Sequence, residues 1–103
     1  MNARNKGRRT ELFFKKQLEK EGYICELAKL SQKFQIHNDF FNLFDIIALK
    51  GKYKKFIQCK TNHLPSKQWI EAAKKFKQDF TNKFDSIEIW IKYDRKKAKK
   101  VIL

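Results

Sequence analysis

The amino-acid sequence predicts an α/β protein in which a central mixed sheet of about five strands is flanked by helices. Two segments carry apolar residues at the spacing of an amphipathic helix, and other segments alternate apolar and polar residues as strands do. The predicted order of elements is α-β-β-β-α-β-β, without internal repeats. A chain of 103 residues can bury a modest core and is expected to form one domain, residues 1–103.

The first predicted helix covers residues 7–21. Its apolar stripe contains Phe14 and Leu18, and Glu11 lies on the same stripe at i, i+3, i+7 spacing. Gly22 follows and supplies the left-handed residue at which many helices end. Glu11 is therefore expected to point in the same direction as the core residues.

Three strands are expected in the middle of the chain. The first covers residues 23–30 and is followed by a loop over residues 31–42, which has no sustained period and could contain a short strand extension. Residues 43–50 and 54–61 then form two apolar strands. A hairpin turn joins them at Gly51, which can take a positive φ.

The second helix is predicted to begin after Pro65, with Ser66 as its N-cap. Its apolar stripe is expected to lie in the core and consists of Trp69, Ala72, Ala73, Phe76 and Phe80. Residues 86–93 alternate isoleucine with other side chains, which predicts a strand with one deeply buried face. Residues 101–103 are expected to form a final edge strand.

The charge of the chain points to an anionic partner. With 25 Lys and Arg against 11 Asp and Glu, the net charge of +14 would oppose compaction unless an anion binds. Nucleic acid is the leading candidate, because neutralised phosphates release counterions. A membrane surface is the competing partner, but the second helix has aromatic and alanine residues suited to a sheet contact. Since no apolar run approaches the ~20 residues of a membrane span, we expect no membrane partner and a cytoplasmic location.

One acid stands inside the predicted hairpin. Asp45 interrupts an apolar strand, and burying a carboxylate is expensive unless a partner, a metal or a solvent-filled cleft is present. On the following strand Gln58 and Lys60 share a face, while Cys59 points to the opposite face. Asp45 can lie beside this pair. Such a set can build a phosphodiesterase site in which Mg²⁺ is held by the acid and the lysine orients or deprotonates the attacking water.

These residues resemble a known nuclease family. The order of Asp45, the trio Gln58-Cys59-Lys60, a preceding helix with Glu11 and a following helix is similar to the PD-(D/E)XK nuclease superfamily. Within it the chain resembles the archaeal-type Holliday junction resolvases and the related Mrr-like nucleases, over about residues 6–80. The segment KGRRTE followed by a helix is similar to the start of the resolvases. The resemblance implies a restriction-endonuclease-like fold and a homodimer that cuts branched DNA symmetrically.

The resemblance also implies a role for each residue of the site. Asp45 would be the central ligand of Mg²⁺, or of Mn²⁺ in its place, and Glu11 would bind the metal or its water. Lys60 would be the catalytic lysine, and the backbone carbonyl of Cys59 would complete the metal shell. Gln58 departs from the family, whose usual residue here is an acid, so weaker Mg²⁺ binding and greater dependence on Glu11 are expected. Phe44 also replaces the family's proline.

Contacts to DNA are expected from residues outside this site. The first nine residues are basic and are predicted to be a flexible arm that could lie along a DNA backbone. A serine and a lysine follow the first strand, where the resolvase group often has a functional serine, and a lysine opens the second helix. The candidate contact residues are Arg4, Lys6, Arg8, Arg9, Ser31, Lys33 and Lys67.

Simpler interpretations remain open at these positions. Asp45 could be a strand acid paired with a lysine, and Glu11 an ordinary helix-face acid. His37 and His63 are expected to be surface residues rather than acids or bases, and the two cysteines small hydrophobes without a disulfide or a zinc site. At the level of function, the rival is a DNA-binding protein on a nuclease scaffold whose metal site is too weak to cut. A third possibility is an RNA-processing factor.

Overall fold

A computed structural model describes residues 3–28, 30–31, 36–37, 41 and 43–103. Side-chain positions are described for these residues except 3–7, 30–31 and 36–37. In chain order the elements are α1 (Ala3–Lys20), β1 (Ile24–Leu27), β2 (Leu30–Ser31), β3 (Ile36–His37), β4 (Ile46–Lys50), β5 (Tyr53–Thr61), α2 (Lys67–Phe80), β6 (Asp85–Lys92) and β7 (Lys99–Ile102).

The main sheet of the described residues has five strands in the order β1-β4-β5-β6-β7. Strands β5 and β6 are parallel and the other neighbours are antiparallel, which confirms the predicted mixed sheet with flanking helices. The parallel pair is joined through α2, as parallel strands require a crossover connection. Strands β2 and β3 form a separate two-stranded sheet. Leu30 belongs to the segment predicted as the first strand, whereas Ser31 and Ile36–His37 lie in the predicted loop, of which 32–35, 38–40 and 42 lie outside the described residues.

Helix α1 covers one face of the sheet. Phe14 and Leu18 are fully buried against strand residues such as Ile57, and the Phe14 ring meets the Trp90 ring edge-on at 5.3 Å. Gly22 follows the helix with φ 97°, as predicted. The helix begins at Ala3 rather than at Gly7, so most of the predicted arm is helical. The stripe that indicated the helix starts at Glu11, and basic side chains continue a helix well without an apolar pattern.

Helix α2 covers the other face. Ser66 is its N-cap as predicted, because its side chain accepts the Trp69 N–H at 3.1 Å. Ala73 is buried and Phe76 half-buried, whereas Phe80 is 73% exposed and Ala72 is also exposed, so the prediction that the whole stripe lies in the core was wrong. Successive residues differ by about 100° around a helix, so Ala72 and Ala73 cannot both face the sheet. Phe80 belongs to the last turn, where its ring meets Phe76 at the rim.

Strand β6 is buried on both faces, whereas the sequence predicted one deeply buried face. Ile87 contacts the α2 layer, and Trp90 packs in the cluster beneath α1 with Glu88 bonded to it. The strand lies between β5 and β7 with a helix on either side, so polar residues at alternate positions are enclosed too. In the described ranges, neither helix has the length and apolar character needed to cross a bilayer.

Candidate functional site

Asp45 lies immediately before β4, between β1 and β5. Its backbone N–H donates to the Ile57 carbonyl at 2.9 Å, and its own carbonyl accepts the Ala28 N–H at 2.9 Å. The side chain is 5% exposed, and its Oδ2 accepts the backbone N–H of Cys59 at 2.8 Å. The carboxylate therefore caps the ladder between β4 and β5 and is fixed at the end of the sheet.

Gln58 is the residue opposite Asp45, one step beyond the last ladder pair, Ile46 with Ile57. Its side chain is buried, and with its nitrogen facing these acceptors the amide donates to Asp45 Oδ2 at 3.0 Å and to the Leu43 carbonyl at 2.8 Å. The oxygen atoms near the amide fix this orientation. Gln58 thus supports the carboxylate through a neutral hydrogen bond.

The Leu43 carbonyl has a second donor from the helix layer. Trp69 Nε1 of α2 donates to the Leu43 carbonyl oxygen at 2.8 Å, and the Gln58 amide donates to the same oxygen. The segment leading into Asp45 is thereby tied to α2. Trp69 was predicted only as a core residue, and its indole N–H, which normally finds a partner when buried, was the available signal of this second role.

Cys59 and Lys60 complete the strand segment. In a strand the N–H and C=O of one residue point to the same edge, so the Cys59 carbonyl faces the same edge as the N–H that binds Asp45. The Cys59 side chain packs in the cluster beneath α1, which confirms that it points away from Gln58. Lys60 is half-buried on the Gln58 side and pairs in register with Ile91 of β6.

Glu11 approaches from α1. It is buried, as predicted, and its Oε1 lies 3.6 Å from Arg8 NH1. The preceding residue, Thr10, shares a hydrogen bond of 2.8 Å with the hydroxyl of Thr61 at the end of β5. This contact fixes the part of α1 that carries Glu11 against the strand that carries Lys60.

A solved structure shares this architecture. It is Hjc, a Holliday junction resolvase from the archaeal hyperthermophile Archaeoglobus fulgidus, and it superimposes with a TM-score of 0.68 over 94% of this chain and 72% of its own chain. The chain has the fold of an archaeal Holliday junction resolvase. Sequence identity over the match is 22%, so the resolvase fold, and not an activity, is what the similarity shows. No protein-family model and no curated protein sequence matches the chain.

The resolvase fold here offers oxygen donors of low charge. Across the ranges that the structure covers, no three Asp, Glu, His or Cys side chains form a metal-binding group. The oxygen ligands available to a metal at this end of the sheet are the Asp45 carboxylate, the Gln58 amide oxygen and the Cys59 carbonyl. Oxygen ligands suit Mg²⁺ and Mn²⁺, so the residues fit such a metal in kind. For coordination, the Gln58 amide would have to turn its oxygen toward the ion.

The predicted DNA contacts are placed only in part. Arg8, Arg9 and Lys67 are exposed, and Arg8 NH1 donates to the Ala28 carbonyl at 3.5 Å. Arg4 and Lys6 lie on α1 and Ser31 on β2, but their side chains, like Lys33 as a whole, are outside the described part.

The remaining candidate groups have ordinary surroundings. His63 is exposed, and its Nδ1 lies 2.8 Å from the Thr61 carbonyl. The other histidine, His37, lies on β3 with a side chain outside the described residues. Burial and the nearby Glu19 carboxylate raise the pKa of the Cys25 thiol, against a smaller opposing effect of Lys15. Cys25 therefore stays protonated at neutral pH, consistent with a small hydrophobe.

Sequence reasoning missed one further buried acid. Glu88 of β6 is 2% exposed and accepts hydrogen bonds from Lys55 Nζ at 2.7 Å, Trp90 Nε1 at 2.8 Å and Ser86 Oγ at 2.8 Å. Burial acts to raise the pKa of Glu88, but these donors, Lys55 foremost, outweigh it and hold the pKa below its ordinary value. Because β6 was expected to bury one face only, its acid was not considered as part of a network.

Proposed function

We propose that this protein is a divalent-metal-dependent endodeoxyribonuclease that acts on branched DNA, in the manner of a Holliday junction resolvase. The observation that supports it best is the convergence of Asp45, Gln58 and Cys59 at one end of a resolvase fold, with Lys60 on the Gln58 face of the same strand. The net charge of +14 supports DNA as the substrate.

In this proposal each residue has a defined task. The Asp45 carboxylate, the Gln58 amide oxygen, the Cys59 carbonyl and Glu11 would hold Mg²⁺ or Mn²⁺. When bound, the ion would stabilise negative charge on the phosphate and make water a better nucleophile. Lys60 orients or deprotonates the attacking water through its amine. The Cys59 N–H keeps the carboxylate in position, and the bond between Thr10 and Thr61 keeps α1 beside the site.

The finer features of the proposal come from the resolvase comparison and from the charge. A four-way junction is the proposed substrate, since the structural relative is a Holliday junction resolvase. Symmetric cutting of a junction requires two sites, so a homodimer of this one-domain chain is proposed as well. The cytoplasm is the proposed location.

Cleavage of a four-way junction with mobile arms, followed by mapping of the products, tests the function. The pure protein in Mg²⁺ or Mn²⁺ is expected to give paired symmetric nicks in the junction and little cutting of a linear duplex. Lys60→Ala should abolish cleavage while DNA binding persists. Lys54→Ala is the matched control, because Lys54 is an exposed lysine on the same face of the same strand.

A second candidate function is a DNA-binding protein that has kept the scaffold without cutting. The hydrogen bond from Gln58 to Asp45 favours it, because the amide supports the carboxylate without a metal. Absence of cleavage in both metals, with tight salt-sensitive binding that Asp45→Ala leaves unchanged, would establish this function and reject the nuclease. An RNA substrate in the same assay distinguishes RNA processing from both.

A further inference from the structure

A basic groove lies between α1 and the turn that joins β6 to β7. Its volume is about 720 Å³, and its walls come from Phe13 and Gln17 of α1 and from the end of β6, the turn and the start of β7. Five cationic residues line it: Lys92, Arg95, Lys96, Lys97 and Lys100. In the portion of the chain that the structure covers, no acidic residue belongs to this lining.

Aromatic rings hold two of these cations at the walls of the groove. Lys92 Nζ lies 5.3 Å from the centroid of the Phe13 ring, and Lys100 Nζ lies 4.0 Å from that of Trp90. Such contacts orient a lysine while leaving its N–H donors available to an anion. Phe13 itself is 40% exposed, so the groove combines positive charge with an accessible ring. This combination is typical of surfaces that follow a nucleic-acid backbone.

The groove is joined to the strand that carries Lys60. Thr61 pairs with Lys92 across the parallel ladder, and the Asn62 backbone N–H donates to the Lys92 carbonyl at 3.0 Å. The side chains of Asn62 and Asp94 extend this link: Asn62 Nδ2 donates to the Asp94 carboxylate, and the Asp94 N–H donates to Asn62 Oδ1, both at 3.0 Å. These hydrogen bonds therefore fix the basic turn to the end of β5.

One residue of the turn has an unfavourable backbone conformation for its type. Arg95 has φ 63°, in the left-handed region that favours Gly or Asn, and arginine lacks the short polar side chain that makes asparagine tolerant there. The same position places a guanidinium in the groove lining. Gly or Asn would adopt this backbone conformation at a lower cost in free energy than Arg95 does.

We infer that this groove is a second contact surface for DNA, which holds the phosphate backbone next to the strand being cut. The backbone would pass the carboxyl ends of β5 and β6, from Lys60 on one face of the sheet to the groove on the other. DNA as the partner rests on the proposed function, whereas the position of the contact rests on the groove itself.

Two matched pairs of substitutions test the inference through DNA binding in EDTA. Lys96→Gln with Lys97→Gln removes two charges from the groove. Lys74→Gln with Lys75→Gln removes two adjacent exposed lysines from α2, where Glu71 and Asp79 lie beside them. The groove pair should weaken binding of a DNA duplex and a four-way junction roughly tenfold at low salt, and should lower the slope of log K against log salt by about 1 to 2. The α2 pair should change both far less.

The results separate the groove from the nuclease function. Equal effects of the two pairs on affinity and salt slope would overturn the groove contact, whether or not the protein cuts DNA. If the groove pair binds DNA more weakly than the wild type does, and the wild type never cuts DNA, the groove contact is supported and the nuclease function is rejected. If an RNA duplex binds as well as the DNA duplex and loses as much affinity, DNA is the wrong partner.

A single substitution distinguishes the loss of a DNA contact from the loss of folding. Arg95→Asn removes a groove cation and places a residue that tolerates positive φ, so its thermal unfolding temperature should equal or exceed that of the wild type. Its DNA affinity should still fall, by about threefold, with a salt slope smaller by about 1. Unchanged affinity in this stable variant would contradict the inference.

Discussion

Glu88 and Asp45 are buried carboxylates with different positions in the sheet. Glu88, on the side of α1, accepts hydrogen bonds from an ammonium, an indole and a hydroxyl. Asp45, at the end of the sheet, accepts from a backbone N–H and from the Gln58 amide, which are both neutral donors. The first acid has a cation of the protein 2.7 Å away, within a closed network in the middle of the sheet.

The two acids differ in their surroundings, and this difference bears on which of them is proposed to bind a metal. Glu88 is 2% exposed, and its charge is balanced by Lys55, whose side chain is 23% exposed. Asp45 stands where β4 begins, opposite Gln58, which precedes the half-buried Lys60 by two residues on β5. Burial alone therefore does not identify the proposed catalytic acid, because both side chains are nearly inaccessible. Asp45 differs from Glu88 in its position at the strand end and in its hydrogen bonds from the Cys59 N–H and the Gln58 amide.

Asp45→Asn should have the largest effect, on cleavage. The amide keeps the shape of the side chain and an oxygen for the Cys59 N–H, but removes the charge that a metal needs. Cleavage of a four-way junction should fall by about 1000-fold or more, equivalent to about 4 kcal/mol in the barrier. The free energy of unfolding should change by less than about 1 kcal/mol. Asp79→Asn on exposed α2 is the control, and equal activity of the two variants would refute the role of Asp45.

Glu88→Gln should show the opposite pattern, with stability lost and chemistry retained. A neutral amide cannot satisfy Lys55, Trp90 and Ser86 together, so a buried donor loses its acceptor. Denaturant unfolding should show a loss of about 3 kcal/mol. Glu26→Gln on exposed β1 should show almost none. The cleavage rate per folded molecule should stay within about twofold of wild type, and a large fall would place Glu88 in the reaction.

Gln58→Glu sharpens the comparison by restoring an acid beside Asp45. The added charge should lower the Mg²⁺ concentration for half-maximal cleavage about tenfold, or about 1.4 kcal/mol in binding. Without metal the variant should be less stable than wild type, because two carboxylates replace a hydrogen-bonded pair. Unfolding measured with and without Mg²⁺ tests both effects. An unchanged metal requirement would indicate that this side chain does not reach the ion.

The pH dependence of stability gives a smaller effect from the same acid. Because the folded-state pKa of Glu88 lies below the unfolded value, its contribution is fully present above the unfolded pKa and is lost as pH falls through the folded pKa. The difference in unfolding free energy between wild type and Glu88→Gln should therefore be constant from about pH 7 to 5 and shrink below about pH 4. If this difference in unfolding free energy grew as the pH fell, the folded-state pKa of Glu88 would have to lie above the unfolded value, which would contradict the prediction.

The amino-acid sequence predicted the elements that depend on local pattern. The helix stripe of Phe14 and Leu18, the turn at Gly51 and the N-cap at Ser66 were placed correctly, as was the sharing of a face by Gln58 and Lys60. Residues 3–6 of α1 were missed because basic helical residues carry no apolar period. The exposure of Phe80 was missed because a periodic stripe does not show where the sheet beneath it ends.

What followed from the sequence was the set of chemical groups and their placement along each element, since alternation in strands and the helical period fix relative directions over a few residues. The contact of the Gln58 amide with Asp45, the closed network of Glu88 and the basic groove of the β6–β7 turn required the fold. Each joins residues far apart in the chain, and only the strand order and the packing of two helices bring them within bonding distance. Asp45, Gln58 and Lys60 are a candidate site because the fold places them at the end of the sheet.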